Sequence, residues 1–260
     1  MSEVDDSPYE HPSLAGMRGR QRKVGTAVNS QSLEGSTVLV IGTGGIALAT
    51  ARLSAAAGAR VVIAGRSPDK VAAGAAATGA VAEHVDVSDE ASIAALAERL
   101  GSVDHVVNLA AAPANVALPR LDHAALVRAF DAKVFGPALL ASRLSITTSL
   151  TLFSGFIAWR PAAERVAMAT ANGAVAFLAQ ALAVELAPVR VNAISPGIVD
   201  SGSWDGLGQG KAGFLERTAA ANPARRTGSP EDLADAALFA MTNPFMTATT
   251  LHVDGGGRVA

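Results

Sequence analysis

An α/β fold, one doubly wound parallel sheet of about seven strands with helices on both faces, follows from three features of this chain. Short uninterrupted apolar runs recur along it, and longer Ala-rich helical stretches separate them. A strand that reads as a continuous apolar run is buried on both faces, the condition of a parallel sheet between two helix layers. Half of the 260 residues are apolar but only 4% are aromatic, so the interior is built from Ala, Val, Leu and Ile, which let helices sit close on strands. Finally, a glycine-rich turn joins the first apolar run to the first helix. The length suits one large domain better than two independent cores.

Residues 1–33 precede the pattern. Acids (Glu3, Asp5, Asp6, Glu10) come first and bases (Arg18, Arg20, Arg22, Lys23) follow, with almost no apolar periodicity. This reads as a flexible N-terminal extension, either disordered or strapped across a neighbouring subunit. The folded domain then occupies 34–260. Residues 36–41 (S-T-V-L-V-I) form the first strand, and 47–57 an Ala-rich helix stopped by Gly58. Strands follow at 60–65 (R-V-V-I-A-G), 81–87 and 105–110 (H-V-V-N-L-A). Two more, at 150–154 and 189–194, are each preceded by a long helix, at 121–145 and 162–187, and a last short strand falls at 250–253. The helix at 162–187 is apolar or small on nearly every face and has to be buried all round, which suggests a subunit interface as well as the core.

Segment 201–223 carries Gly202, Gly206, Gly208, Gly210 and Gly213, with Trp204 and Phe214 among them. So much glycine in so long a connection reads as a mobile lid whose aromatics cover an apolar substrate, the alternative being an ordinary surface connection. Arg160 and Arg165, after the fifth strand, are either readers of an anionic substrate or solvated loop residues. His105, beside Asp104 at a strand start, reads as structural.

A formal charge of −2 argues against a nucleic-acid or anionic-membrane surface. The absence of cysteine excludes disulfides, thiolate catalysis and Cys-ligated metal. The five histidines are scattered without zinc-type spacing, so no metal is expected. No uninterrupted apolar run reaches the ~18 residues of a membrane span, and the N-terminus carries no signal-peptide core. A soluble cytoplasmic protein handling a small molecule is the expectation, with neither nucleic acid nor membrane as partner.

Gly42, Thr43, Gly44, Gly45, Ile46 and Ala47 follow a strand directly and open a helix. Such a turn lets backbone N–H groups approach a pyrophosphate, and the helix N-terminus adds its partial positive charge. The spacing reads as Gly-x-Gly-x-x-Ala, and its strand–turn–helix setting makes it a dinucleotide-binding element of a Rossmann-like domain. The second strand ends at Arg66-Ser67 with no acid there. An acid would bind a ribose 2′-OH, whereas an arginine suits a 2′-phosphate, so NADP(H) is favoured over NAD(H). A solvated turn arginine is the other reading of Arg66.

The ordered series resembles the short-chain dehydrogenase/reductase family over 36–260. It comprises the Gly-rich turn, Asp86-Val87, Asn108-Leu-Ala-Ala, Arg190-Val-Asn-Ala-Ile-Ser-Pro196-Gly197 and the terminal Val253-Asp-Gly-Gly. The resemblance implies that Asp86 and Val87 contact the adenine and that Asn108, Ala110 and Ala111 line the cofactor. It also implies that Pro196, Gly197, Ile198 and Ser201 hold the nicotinamide carboxamide, and that the protein forms a homodimer or homotetramer.

The chain departs from that family at its chemistry. The Gly turn is one residue shorter than usual and ends in Ala47. The only tyrosine is Tyr9, far upstream of the domain. Aligning back from Gly173-Ala-Val-Ala-Phe places Met168 at the family's tyrosine and Asn172 at its lysine. The helix-four asparagine falls on Lys133. Ser154 and Gly155 compete for the catalytic serine position, and counting without gaps from Met168 favours Gly155. A thioether has no proton to give. Lys133 and Asn172 look like a reciprocal exchange of the family's Asn and Lys, so a partly buried Lys133 would be the proton donor, with Asn172 opposite. Ser154 either orients a substrate carbonyl with its hydroxyl or simply terminates the strand. The alternative for Lys133 is a helix surface or a pair with Asp131.

The expected activity is therefore that of an NADP(H)-dependent oxidoreductase on a small carbonyl or alcohol, with a non-tyrosine proton donor. A non-catalytic NADP-binding sensor or structural subunit, and a non-redox isomerase or cyclase on the same fold, are the alternatives.

Overall fold

A computed structural model of the chain describes residues 31–260. Most of the 1–33 extension therefore lies outside the described residues, Tyr9 included. Leu33, at its end, is 3% exposed and sits in the core, with its N–H donating to the Ala57 carbonyl at 2.8 Å.

Seven strands form one sheet: β1 (Thr37–Ile41), β2 (Arg60–Gly65), β3 (Val81–His84), β4 (Ser102–Asn108), β5 (Ser145–Phe153), β6 (Arg190–Pro196) and β7 (Thr250–Val253). Their spatial order is β3-β2-β1-β4-β5-β6-β7, and every neighbouring pair is parallel. The order reverses between β1 and β4, the switch point at which a crevice opens beyond the carboxyl ends of the strands. The helices are α1 (Gly45–Ala56), α2 (Pro68–Thr78), α3 (Glu90–Leu100), α4 (His123–Phe130), α5 (Gly136–Arg143), α6 (Val166–Glu185), α7 (Gly210–Ala221) and α8 (Pro230–Thr242).

β1 shows how an apolar run serves two layers. Its successive side chains point to opposite faces. Leu39 and Ile41 join one core cluster with Ile93, Leu96, Leu140 and Val175, from α3, α5 and α6. Val38 and Val40 join the other with Leu233, Leu238 and Met241 of α8 and Ala47 and Ala51 of α1. Burying each such Val, Leu or Ile contributes roughly 1.5–3 kcal/mol, so a strand apolar throughout is stabilised from both sides.

Several boundaries differ from the pattern-based reading. The β3 ladder stops at His84 rather than 87, because Ser92 Oγ takes the Asp86 N–H at 2.9 Å. β5 begins at Ser145, five residues before the apolar run, since its first half is only partly covered. The long helix at 121–145 is α4 and α5 joined by a π-helical turn at Asp131–Phe135. The 201–223 segment, expected as a mobile lid, contains α7.

α6 is not buried all round within this domain. Ala167, Ala171, Asn172, Val175, Ala176 and Ala179 face inward, whereas Phe177 is 71% and Val184 78% exposed. By length and composition α6 is the one helix among the described residues that would suffice to cross a bilayer. Its inner face packs on the sheet as a core helix does: Val175 and Ala179 contribute to the same cluster as β1.

Candidate active site

The Gly-rich turn is shaped by close approach. Gly42 adopts φ +142°, and a Cβ there would meet Leu109 Cβ at 3.2 Å and Ala47 Cβ at 3.3 Å. The small residue at 47 is thus what lets the turn fold tightly against the loop after β4. Gly44 caps α1 at its N-terminus, and a Cβ there would meet nothing within 4 Å. Among the described residues the N–H groups of Thr43 and Gly44 have no hydrogen-bond partner, whereas Gly45 donates to the Ser201 carbonyl at 3.3 Å. The turn therefore offers an open cradle of amides at a helix N-terminus, with the segment around Ser201 against its last glycine.

A cavity of about 340 Å³ opens beside it. Gly42, Thr43, Gly44, Arg66, Asp86, Val87, Ala110 and Ala111, all assigned to a cofactor from the sequence, line it together. Ser67 and Asn108 lie just outside that lining. Asn108 is buried, and its Oδ1 accepts from the Ala110 N–H at 3.2 Å, bracing the loop that forms the cavity floor. Burial works to raise the Asp86 carboxyl, but the Ser88 hydroxyl and amide, then the charges of Arg66 and His84, outweigh it and hold it below the ordinary carboxylate range. Arg66 is exposed at the rim, with no carboxylate at ion-pair distance among the described residues. Arg128 and Asp131, on α4 and the π-turn, also line this cavity, and the sequence reading missed both.

The three candidate catalytic residues converge beyond the ends of β4 and β5. Lys133 is 8% exposed, and its Nζ donates to the Phe153 carbonyl at 2.8 Å. It neither lies on a helix surface nor pairs with Asp131 or any other carboxylate among the described residues. Burial without a counter-charge pushes its pKa down from 10.5 to about 8. The π-turn carrying it interrupts the regular helix, a distortion frequent at functional sites. A Cβ at Gly136, where α5 resumes, would clash with the backbone carbonyls of Val87 and Asp131.

Ser154 is 4% exposed, and its hydroxyl donates to the Asn172 backbone carbonyl at 2.6 Å. A hydroxyl has one proton to give, and this one is committed to tying the end of β5 to α6. Gly155 lies against the Asn172 side chain, which a Cβ would meet at 3.0 Å. The Asn172 Oδ1 is buried without a partner among the described residues, an acceptor that a ligand hydroxyl or water would satisfy. Met168 packs against an apolar cluster of Ala114, Ala125, Ala129, Ala167 and Ala171.

On the far side, Gly197 donates to the Val253 carbonyl at 3.0 Å, and a Cβ there would come within 2.7 Å of Asp254 Cα. Only glycine allows the chain after Pro196 to pass β7 so closely. Gly197 and Ile198 line a second cavity of about 450 Å³ and none of the first. Ser201 sits over Gly45, with its hydroxyl 3.2 Å from that of Ser203. Trp204 and Phe214 meet at 4.7 Å with their rings tilted by 44°, and the Trp204 indole N–H donates to the Val199 carbonyl at 3.0 Å, anchoring this segment to the chain after β6. His105, within β4, is 2.8 Å from Ser149 Oγ and has its pKa lowered to about 4 by burial and then by Arg190, as a neutral structural histidine. Among the described residues no group of His, Asp or Glu could hold a metal ion.

Residues 40–257 match the family model described as enoyl-(acyl carrier protein) reductase. The chain is 32% identical to a sorbitol dehydrogenase of Cereibacter sphaeroides over 86% of this chain and 98% of that one. It is 34% identical to a cis-4-hydroxycyclohexanecarboxylate dehydrogenase of Sinomonas cyclohexanicum, over 82% and 92% respectively. A solved structure of a short-chain dehydrogenase/reductase family protein superposes with a TM-score of 0.78 at 33% identity, covering 88% of this chain and all of that one. With the switch-point sheet, the Gly-rich turn and the convergent strand ends, these matches place the chain in the short-chain dehydrogenase/reductase family of oxidoreductases.

Proposed function

We propose that the protein is an NADP(H)-dependent oxidoreductase that interconverts a small alcohol and carbonyl, with Lys133 in the role of proton donor. The observation that carries this reading is the buried Lys133 ammonium beside the end of β5, with its pKa brought down to about 8. A group with both protonation states accessible near neutrality can give a proton and take it back.

The residues present fit a bound dinucleotide. Gly42, Thr43 and Gly44 offer the pyrophosphate cradle, Asp86, Val87, Ala110 and Ala111 wall the adenine side, and Arg66 with Ser67 meets a 2′-phosphate. The unpartnered Asn172 Oδ1 would accept from a ribose hydroxyl, and Pro196 to Ser201 flank the nicotinamide end. When bound, the nicotinamide supplies or accepts the hydride. Lys133 Nζ passes its proton to the substrate oxygen during carbonyl reduction and is left as the neutral amine. In alcohol oxidation the neutral amine takes the hydroxyl proton. Ser154 holds β5 against α6, which keeps the Phe153 carbonyl, and with it the Lys133 amine, in place. Two relatives are named as dehydrogenases of hydroxylated substrates, in keeping with an alcohol or carbonyl substrate here. The exposed Phe177 and Val184 on α6 suit a homodimer or homotetramer.

The committed Ser154 hydroxyl favours one second reading, an NADP-binding protein without turnover. Calorimetric titration with NADPH and NADH, followed by turnover on a panel of secondary alcohols and ketones, separates the two. Micromolar NADPH binding with turnover is expected. Binding without turnover selects the second reading, and no binding of either cofactor up to millimolar levels rejects both.

A further inference from the structure

The second cavity, about 450 Å³, lies between the loop after β5 and the lid helix α7. Its walls begin at Phe156, two residues past Ser154, and at Gly197, directly after Pro196, so it is contiguous with the ends of β5 and β6. It shares no lining residue with the first cavity. Phe156, Ile157, Pro161, Ile198 and Phe214 make its surface largely apolar.

The neutral side-chain donors of its lining are already engaged, and only the Asn222 Oδ1 acceptor is left without a partner among the described residues. Thr218 Oγ1 donates to the Phe214 carbonyl at 2.9 Å, and the Asn222 amide donates to the carbonyls of Arg226 at 3.0 Å and Asp254 at 3.3 Å. A polyol would therefore find few neutral donors here. Two guanidinium groups, Arg160 and Arg217, reach the same cavity from opposite walls. Arg160 spends one N–H on the Gly257 carbonyl at 2.8 Å and keeps the rest free. Arg217 makes no hydrogen bond among the described residues and lies over Gly213, whose missing side chain leaves it room.

The charge sum selects the ligand. Asp254, in the same lining, has its carboxylate held by Arg258 at 3.0 Å. With Asp254 so paired, the two guanidinium groups leave the lining with uncompensated positive charge among the described residues. We propose that this cavity takes a monocarboxylate with an apolar body, its carboxylate received by Arg160 and Arg217 and its body by the walls under the lid. That the ligand is the substrate rests on the oxidoreductase reading; that the cavity binds it does not. Planar guanidinium groups suit a carboxylate, and apolar walls with a few convergent polar groups are the usual make-up of a ligand site.

The test titrates the full-length protein at low salt with 4-phenylbutanoate and, in parallel, its neutral isostere 4-phenylbutanamide. The acid is expected to bind at least about tenfold more tightly than the amide. Arg160→Gln and Arg217→Gln should each weaken the acid about five- to tenfold without moving amide or NADPH affinity. Arg217 stands exposed and unbonded on α7, so its variant carries no folding cost and keeps the test decisive. Equal binding of acid and amide, no saturation by the acid up to roughly 10 mM, or wild-type acid affinity in both variants would overturn the proposal. Acid binding retained in a protein that fails to bind NADPH would reject the oxidoreductase reading and leave this site standing. NADPH binding without acid binding would do the reverse.

Discussion

Lys133 Nζ lies 2.8 Å from the carbonyl oxygen of Phe153, the residue immediately before Ser154. The link runs from a π-turn on one side of the crevice to the end of β5 on the other. It places an ammonium where the strand, the turn and α6 meet, with no carboxylate among the described residues to neutralise it. A carbonyl stabilises that charge only partly, so burial lowers the pKa.

Replacing Lys133 by Ala is expected to abolish turnover while leaving NADPH affinity within a few-fold, as single-turnover kinetics and calorimetry would register. Unchanged activity would remove the lysine from the mechanism.

The same group has a signature in stability. Its folded pKa, about 8, lies below its ordinary 10.5, so the folded state bears the full cost of the buried charge below pH 8. Between those values the unfolded chain holds the proton and the folded chain does not, and stability rises with pH. Lys133→Met should lack this rise. Its melting temperature relative to wild type is therefore expected to fall steadily from pH 8 to 10.5.

Arg66→Ala should weaken NADPH by at least about tenfold and NADH hardly at all, the loss of a charge-assisted contact to the 2′-phosphate. Equal losses for both cofactors in parallel titrations would end the 2′-phosphate assignment.

A methyl group at Gly45 would sit 2.8 Å from the Ser201 carbonyl, so Gly45→Ala forces the lid base off α1. A loss of roughly 1–3 kcal/mol in denaturant unfolding is expected, with faster proteolysis within 201–223. Wild-type cleavage rates would mean that the lid does not rest on the turn.

His105 is neutral when folded, its pKa lowered to about 4 from 6.5 chiefly by burial. The unfolded chain takes up a proton between those values, so stability drops as the pH falls through that window, by roughly 3 kcal/mol in full. His105→Gln should be less stable at pH 7, having lost the fit to Ser149, yet show a shallower decline from pH 6.5 to 4.

The lining of the first cavity was legible because it rests on contiguous signals. The turn at Gly42–Gly45, the strand end at Arg66 and the pair Asp86-Val87 each follow an apolar run, and parallel strands bring such ends to one edge. Lys133 was reachable only by counting against a family pattern. Its burial depends on the π-turn, and nothing local in Asp131-Ala-Lys-Val-Phe marks such a turn. Arg128 and Arg217 were missed because each stands on a helix face whose partner elements lie far away in sequence. The Ser154 hydroxyl looked free in the sequence because the carbonyl it bonds belongs to a helix 18 residues further on.

By itself the sequence determined the sheet, its two-sided burial, the glycine turn and the absence of a phenol from the domain, because period, composition and residue identity are local properties. Only the tertiary structure decided that Lys133 is buried, that it has no counter-ion among the described residues, that Ser154 is tied to α6 and that Arg160 and Arg217 share a cavity. Burial, pairing and charge balance depend on which distant segments the fold brings together.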